Sequence, residues 1–305
     1  MSSTQQQLYA ARPIALKPWR PSRWHPYLHG SELVWAIAFV APYAAVFLAF
    51  ALYPIAYGLW LGSDPRLYLE LLDDPHYPQA ALNTALFAGF GTNVMMFAAL
   101  LLSGFFMRPR WWIKALLGAC LLPWALPALP AYVSFHWMLI GDYGLVDSLL
   151  SALFGITGPN WFDDRWVSMA WNTVAYVWKW LPFWLLVFYA GRMAIPQELY
   201  EAAAVDGADG HRRFIHVTVP LLTNLYLICT ALCAIWMIGD FTAAELVSGG
   251  APSLESEVLS TISIHYAFDI SRPGRGVAAA LSALPLLIPL VVILIRRIET
   301  REVQL

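Results

Sequence analysis

The residues able to do chemistry in this chain are few and scattered. Lys179, between Trp178 and Trp180, is the one charge in the interval 166–191. An ionisable side chain in so apolar a run is costly in lipid and points to a function facing a protein interior. Its stem can equally snorkel to a surface, or its amine can pair with an acid, for which Asp240 is a candidate. Asn83, Asn93 and His136 lie in other apolar runs, where they either line a polar path or bond between helices. No catalytic set accompanies them. HExxH and GxSxG do not occur, and none of Lys17, Lys114 and Lys179 follows a glycine, so the GxxxxGK[ST] phosphate loop is missing. ATP hydrolysis by that device is excluded. Cys120, Cys229 and Cys233 sit in apolar runs without a CxxC pair, which reads as packing rather than metal binding.

These residues need a scaffold, and the composition says which. Hydrophobic residues make up 59% of the 305 and charged ones 12%, against about 25% charge in soluble domains. Lipid is the implied solvent. The net charge of −2 gives no basic balance to argue for nucleic acid. Intervals without charge run over 33–63, 75–107, 115–141, 214–239 and 276–295, and 166–191 has only Lys179. Each is long enough for a membrane helix, which takes roughly 20 apolar residues. Six spans follow, in an all-α polytopic membrane protein. The first is too long for a cleavable signal. The piece 258–268 is too short to cross and reads as half-inserted or interfacial, and 145–154 as an amphipathic surface helix. Pro42 and Pro54 interrupt the first span, and Pro123, Pro127 and Pro130 crowd the third, where they kink the backbone. The fifteen tryptophans read mostly as interfacial belts.

Loop charge sets the orientation. Thirteen of the eighteen Lys and Arg fall in four segments that six crossings place on one side: the tail 1–30, 108–114, 192–213 and 296–301. Basic residues stay cytoplasmic, so both termini and the 192–213 loop are expected inside.

That loop contains "IPQELYEAAAVDGADGHRRF". Pro196 suits a first helical turn, Glu198 suits the positive end of the helix dipole, and the alanines favour helix. Gly207 and Gly210 mark a turn, after which Arg212 and Arg213 open the next span. The short helix offers a small apolar face (Leu199, Ala202, Ala203, Val205) to a partner with a groove, or else to the bilayer surface.

Glu201-Ala202-Ala203, three residues, Gly207, nine residues, then Val217, Val219 and Pro220 resemble the EAA loop of ABC importer permeases. Val replaces the pattern's Ile and Leu. "ALNTALF", "LPWALPALP", "DYGLVDSLL", "NWFDD" and "LVSGGAP" extend the resemblance from about Ala80 to the C-terminus, to the carbohydrate-type permeases of the maltose and glycerol-3-phosphate importer class. The resemblance implies a type I, MetI-like permease fold: a tail 1–30, a first helix 33–62, a core domain 80–297 with its coupling loop at 196–220, and a tail 298–305. It implies that Glu201, Ala202, Ala203 and Gly207, with Asp206 beside them, contact a separate ABC ATPase subunit present in two copies. It further implies a second, non-identical permease, an extracytoplasmic solute-binding protein, a sugar or polyol as solute, no cofactor, and a bacterial or archaeal cytoplasmic membrane. Similar permeases often carry a Trp-Lys pair at 178–179, which favours an architectural Lys179. An ion-driven carrier, the rival from the residues alone, would favour inverted repeats and intramembrane carboxylates; Asp240 is the one strong candidate and no repeat is visible. A membrane-embedded enzyme lacks its catalytic set.

Overall fold

The computed structural model describes residues 30–302, with side chains for 34–297 apart from Asp142. The expectations for the tail 1–30, save Gly30, and for 303–305 lie outside the described residues. The chain divides into two compact units, 1–56 and 57–305.

The boundary between them falls inside a helix: α1 (Gly30–Phe47) leads through a π-helical turn, Leu48–Leu52, into α2 (Tyr53–Leu61), whose residues from Tyr57 on belong to the second unit. Val34–Leu61 is an uninterrupted apolar stretch of 28 residues, about 42 Å of helix at 1.5 Å per residue and enough for a bilayer. The expected interruption is only a local widening. In a regular helix Pro54 would clash with the carbonyl of Phe50, and the π turn holds that carbonyl.

After the end of α2 the second unit continues with α3 (Pro65–Leu72), capped by Asp64, whose carboxylate accepts from Arg66 N at 2.9 Å. Then come α4 (His76–Phe106), α5 (Trp111–Ala125), α6 (Ala128–Met138), α7 (Leu145–Phe154) and α8 (Arg165–Met193). They are followed by α9 (Gln197–Val205), α10 (Gly210–Arg213), a π turn Phe214–Thr218 and α11 (Val219–Ile238). α12 (Thr242–Val247), α13 (Leu259–Ile264), α14 (Pro273–Leu281) and α15 (Leu284–Glu302) complete it. The π turn ahead of α11 holds the carbonyl of His216, which Pro220 would strike. Among the described residues five stretches, counting Val34–Leu61, are long and apolar enough to cross a membrane, and the α5–α6 pair makes a sixth if taken as one span.

That pair is bent by 96° where one kinked crossing over 115–141 was expected. Leu126 precedes Pro127, and both adopt extended backbone (ψ 144° and 143°). Proline drives its predecessor out of the helical region, so the helix breaks there.

The core lies where α4, α8 and α11 meet. Phe87, Met95, Met96 and Ala99 pack with Tyr176 and Phe188, and with Cys229, Cys233 and Met237. The two cysteines are packing residues within that cluster. At the end of the bundle holding α3 and α7, the loop 248–258 is partly buried, at Ser248, Gly250 and 256–258. Asn83 Nδ2 donates to the carbonyls of Glu255 (2.8 Å) and Glu257 (2.6 Å), and Asn172 Nδ2 to Ser248 Oγ (2.9 Å). The 258–268 piece forms α13 and a π turn, and is not among the crossing helices.

Candidate functional site

Two features at different levels of the bundle answer to the expected functional residues. The first is α9 with its turn. Pro196 precedes the helix in extended backbone (ψ 134°), and Glu198 lies in its first turn. The end is closed by two hydrogen bonds, Ala208 N to Ala203 O at 2.9 Å and Gly207 N to Ala204 O at 3.1 Å. This is the Schellman arrangement, which needs a left-handed residue one place beyond the cap. Gly207 supplies it with φ +77°. Asp209 then caps α10 by accepting from Arg212 N at 2.8 Å. No residue of α9 is buried. Glu201, Ala202, Asp206 and Gly207 are exposed and Ala203 is half-buried. Val205 is 88% exposed, Leu199 43%. One side-chain tie binds the helix inward, Tyr200 Oη to Thr218 Oγ1 at 3.0 Å in the π turn. The loop thus has a self-capped form while its small apolar face is left open.

The second feature is a concavity of about 420 Å³ lined by Tyr176, Trp180, Ile235, Trp236, Gly239 and Asp240. Behind it stands an aromatic cluster. Trp236 lies 5.8 Å from Trp180, 5.6 Å from Phe183 and 5.4 Å from Trp184, centroid to centroid, and Phe183 meets Trp184 edge-on at 5.0 Å. These rings face one another, with Trp184 buried and Trp236 43% exposed, so the assignment of most tryptophans to interfacial belts leaves this group out. Asp240 Oδ1 accepts from Ala243 N at 2.7 Å, which holds the carboxylate at the start of α12.

Of the five expected path residues, Asp240 alone lines this concavity. Lys179 is buried, and its amine donates to the carbonyls of Pro123 (2.9 Å), Trp124 (3.2 Å) and Leu126. Those are the carbonyls stranded when α5 breaks, and an ammonium has three donors to offer them. The suggested Lys179–Asp240 pair does not form, because each group is committed elsewhere, and the amine does not reach a surface. Asn83 is fully buried and anchors the 248–258 loop, and its Oδ1 accepts from Arg165 Nε (3.1 Å) and Nη2 (2.7 Å). Asn93 is exposed and bonds its own helix at Gly89 O. His136 Nδ1 meets Val247 O at 2.8 Å, and its ring stacks on Phe162 at 5.2 Å. Lys179, Asn83 and His136 are joints between elements, while Asn93 is tied only within its own helix. No group of three or more His, Cys, Asp or Glu suited to a metal occurs among the described residues.

Within the 248–258 loop, Glu257 is 4% exposed with Oε2 lacking a hydrogen-bond partner. Burial pushes its carboxyl up to about 7; nearby His265 opposes the shift, and Glu245, Asp74 and Asp269 add to it.

With the geometry in place, comparison with known proteins identifies the family. Residues 95–303 match the family described as "Binding-protein-dependent transport system inner membrane component". The chain is 28% identical over 297 residues to the sulfoquinovosyl glycerol transport system permease protein SmoG of Agrobacterium fabrum, covering 92% of this chain and 95% of that one. It is 31% identical over 176 residues to the trehalose/maltose transport system permease protein MalF of Thermococcus litoralis, covering 58% and 59%. Among solved structures, a bacterial alginate ABC transporter in complex with an alginate pentasaccharide-bound periplasmic protein contains a chain of the same fold. The TM-score is 0.78 at 18% identity, over 87% of this chain and 93% of that one. The chain is therefore a multi-pass membrane protein belonging to the binding-protein-dependent transport system inner membrane component family.

Proposed function

We propose that this chain is a permease subunit of an ABC importer that brings a sugar or related polyol across a bacterial or archaeal cytoplasmic membrane, and that α9 is where a separate ATPase engages it. The observation that carries the reading is the pairing of a family match over 95–303 with a self-capped, exposed helix at the position where the sequence resembles the EAA loop. A helix that closes its own end at Gly207 and leaves Leu199, Ala202 and Val205 open suits a groove on another protein. Glu201, Ala202, Ala203, Asp206 and Gly207 are the contact positions. The ATPase is present in two copies and carries all the ATP chemistry. A second, non-identical permease completes the path, and an extracytoplasmic binding protein delivers the solute. The termini and α9 face the cytoplasm, as the loop charges support. ATP binding by the partners favours one conformation of the bundle and hydrolysis the other, which requires contacts at α9 that differ between the two states.

The aromatic concavity supports a sugar. A pyranose presents a flat C–H face to rings such as Trp180 and Trp236, and hydroxyl donors to an acceptor such as Asp240. Relatives named for a sulfoquinovosyl glycerol and for trehalose and maltose fit that chemistry.

The test is reconstitution in vesicles together with the companion subunits, and a tag placed at residue 208. Uptake should require ATP and the ATPase, and in whole cells the tag should resist external protease. Uptake by this polypeptide unaided would refute the assignment, and external cleavage at the tag would reverse the orientation.

A further inference from the structure

Just ahead of the coupling loop, α8 ends in a buried cation that the family reading leaves without a task. Arg192 lies in the last turn of α8 and is 9% exposed. No acid pairs with it among the described residues. Its fork is committed to α4 instead: Nε donates to Ser103 Oγ at 2.7 Å and Nη2 to the carbonyl of Leu100 at 2.8 Å. The same carbonyl accepts from Ser103 Oγ at 2.7 Å. The guanidinium also lies over the ring of Phe214, the first residue of the π turn before α11, at 5.3 Å. A Cβ at position 104 would stand 3.1 Å from Nη1 and 3.2 Å from Cζ, so Gly104 leaves the fork the room it occupies.

The two kinds of contact differ in stiffness. Directed, charge-assisted hydrogen bonds hold one geometry and weaken steeply when bent. A cation over a ring face is held by a broad attraction that tolerates sliding. Arg192 therefore locks α8 to α4 and only leans on the turn into α11. Four residues later Pro196 leads into α9, so the lock sits at the root of the coupling helix.

Resting on the reading of α9 as the coupling helix, we propose that Arg192 is a positioning residue for energy transfer: it makes α4 and α8 follow α9 as one body while the chain into α11 bends at Phe214–Thr218. A displacement imposed on α9 then reaches α4, and through Phe87 and Met95 the core. Without the fork, α8 moves and α4 lags, and ATP is consumed with less import.

The experiment uses the complete reconstituted transporter and reads solute imported per ATP hydrolysed. Arg192→Met should insert and bind the ATPase as the parent does, yet lower that ratio about tenfold, within the usual range of coupling between sites. Arg192→Lys keeps the charge and loses the fork, so it should restore part of the ratio. Ser103→Ala removes one acceptor and leaves the bond to the Leu100 carbonyl, so it should lower the ratio about threefold, less than loss of the whole fork. If Arg192→Met fails to insert, Ser103→Ala decides alone. An unchanged ratio, with uptake and hydrolysis intact or falling in step, overturns the proposal. If Gly207→Val imports normally with the ATPase bound, the coupling role of α9 itself falls, and that outcome is separate from anything measured at Arg192.

Discussion

Two loops of this molecule use a glycine at the same backbone angle for opposite ends. Gly207, after α9, and Gly250, in the loop between α12 and α13, both have φ +77°. A Cβ added at Gly207 would meet nothing within 4 Å. At Gly250 it would meet Glu257 Cγ at 3.0 Å and Leu254 Cα at 3.4 Å. The 248–258 loop is folded into the protein, tied by Asn83 and Asn172, with Ser256 and Val258 buried. The α9 loop closes its own hydrogen bonds and then presents its surface outward. One loop is packed by its own chain, and the other closes its own hydrogen bonds and leaves its surface open. Glycine alone does not distinguish them, but the space around it does.

A branched residue placed at each glycine should affect the two loops differently. A left-handed conformation costs a β-carbon residue about 1–2 kcal/mol in either loop. Gly207→Val should leave the subunit inserted, abolish uptake and loosen the ATPase, because the Schellman closure no longer presents the contact face. Gly250→Val should instead lower the thermal stability of the isolated subunit, since its side chain strikes Leu254 and Glu257. Uptake retained by Gly207→Val, measured in vesicles, would remove the distinction.

A second buried joint extends the inward-facing class. Lys179→Met strands the carbonyls of Pro123, Trp124 and Leu126 at the break between α5 and α6. An orphaned buried acceptor costs about 1–3 kcal/mol, so a loss on the order of 3 kcal/mol should appear in the unfolding of detergent-solubilised protein. Solute preference should stay the same. A clean change of substrate with normal stability would place Lys179 on the path after all.

What could be read from the chain divides along the same line. The α9 loop was legible because its determinants are local: a proline before the helix, an acid in its first turn, a glycine at its close. The spans were legible as uncharged intervals, and the third span's distortion as three prolines. The use of Lys179 was not, because its acceptors lie 53 to 56 residues away and exist only once the helix has broken. Asp240 was the available acid on composition, and the fold spends its carboxylate on α12 instead. Asn83 reads as a path residue or a helix bond until the loop 172 to 174 residues later comes to rest on it. The tryptophans of α8 and α11 looked like belts because hydropathy does not say which face of a long helix meets another helix. Trp180, Trp184 and Trp236 became a cluster only through that meeting.

The finest test of the comparison is pH. Glu257 sits in the self-contained loop with a carboxyl pushed up by burial to about 7 from an ordinary 4.5. A carboxylic acid whose folded value is raised contributes stability fully present below its unfolded value and lost as pH rises through the folded one. The 248–258 loop should therefore hold most firmly near pH 4.5 and loosen up to about pH 7, where the unpaired Oε2 becomes part of a buried anion. Glu257→Gln keeps the shape without the charge, and should flatten that dependence while leaving the α9 loop unaffected. Hydrogen exchange of the amides of 248–258 against those of 197–208, across that range, reads both loops in one sample. Equal pH dependence in the two loops, or an unchanged slope in Glu257→Gln, would mean that the buried loop is not held by its own interior.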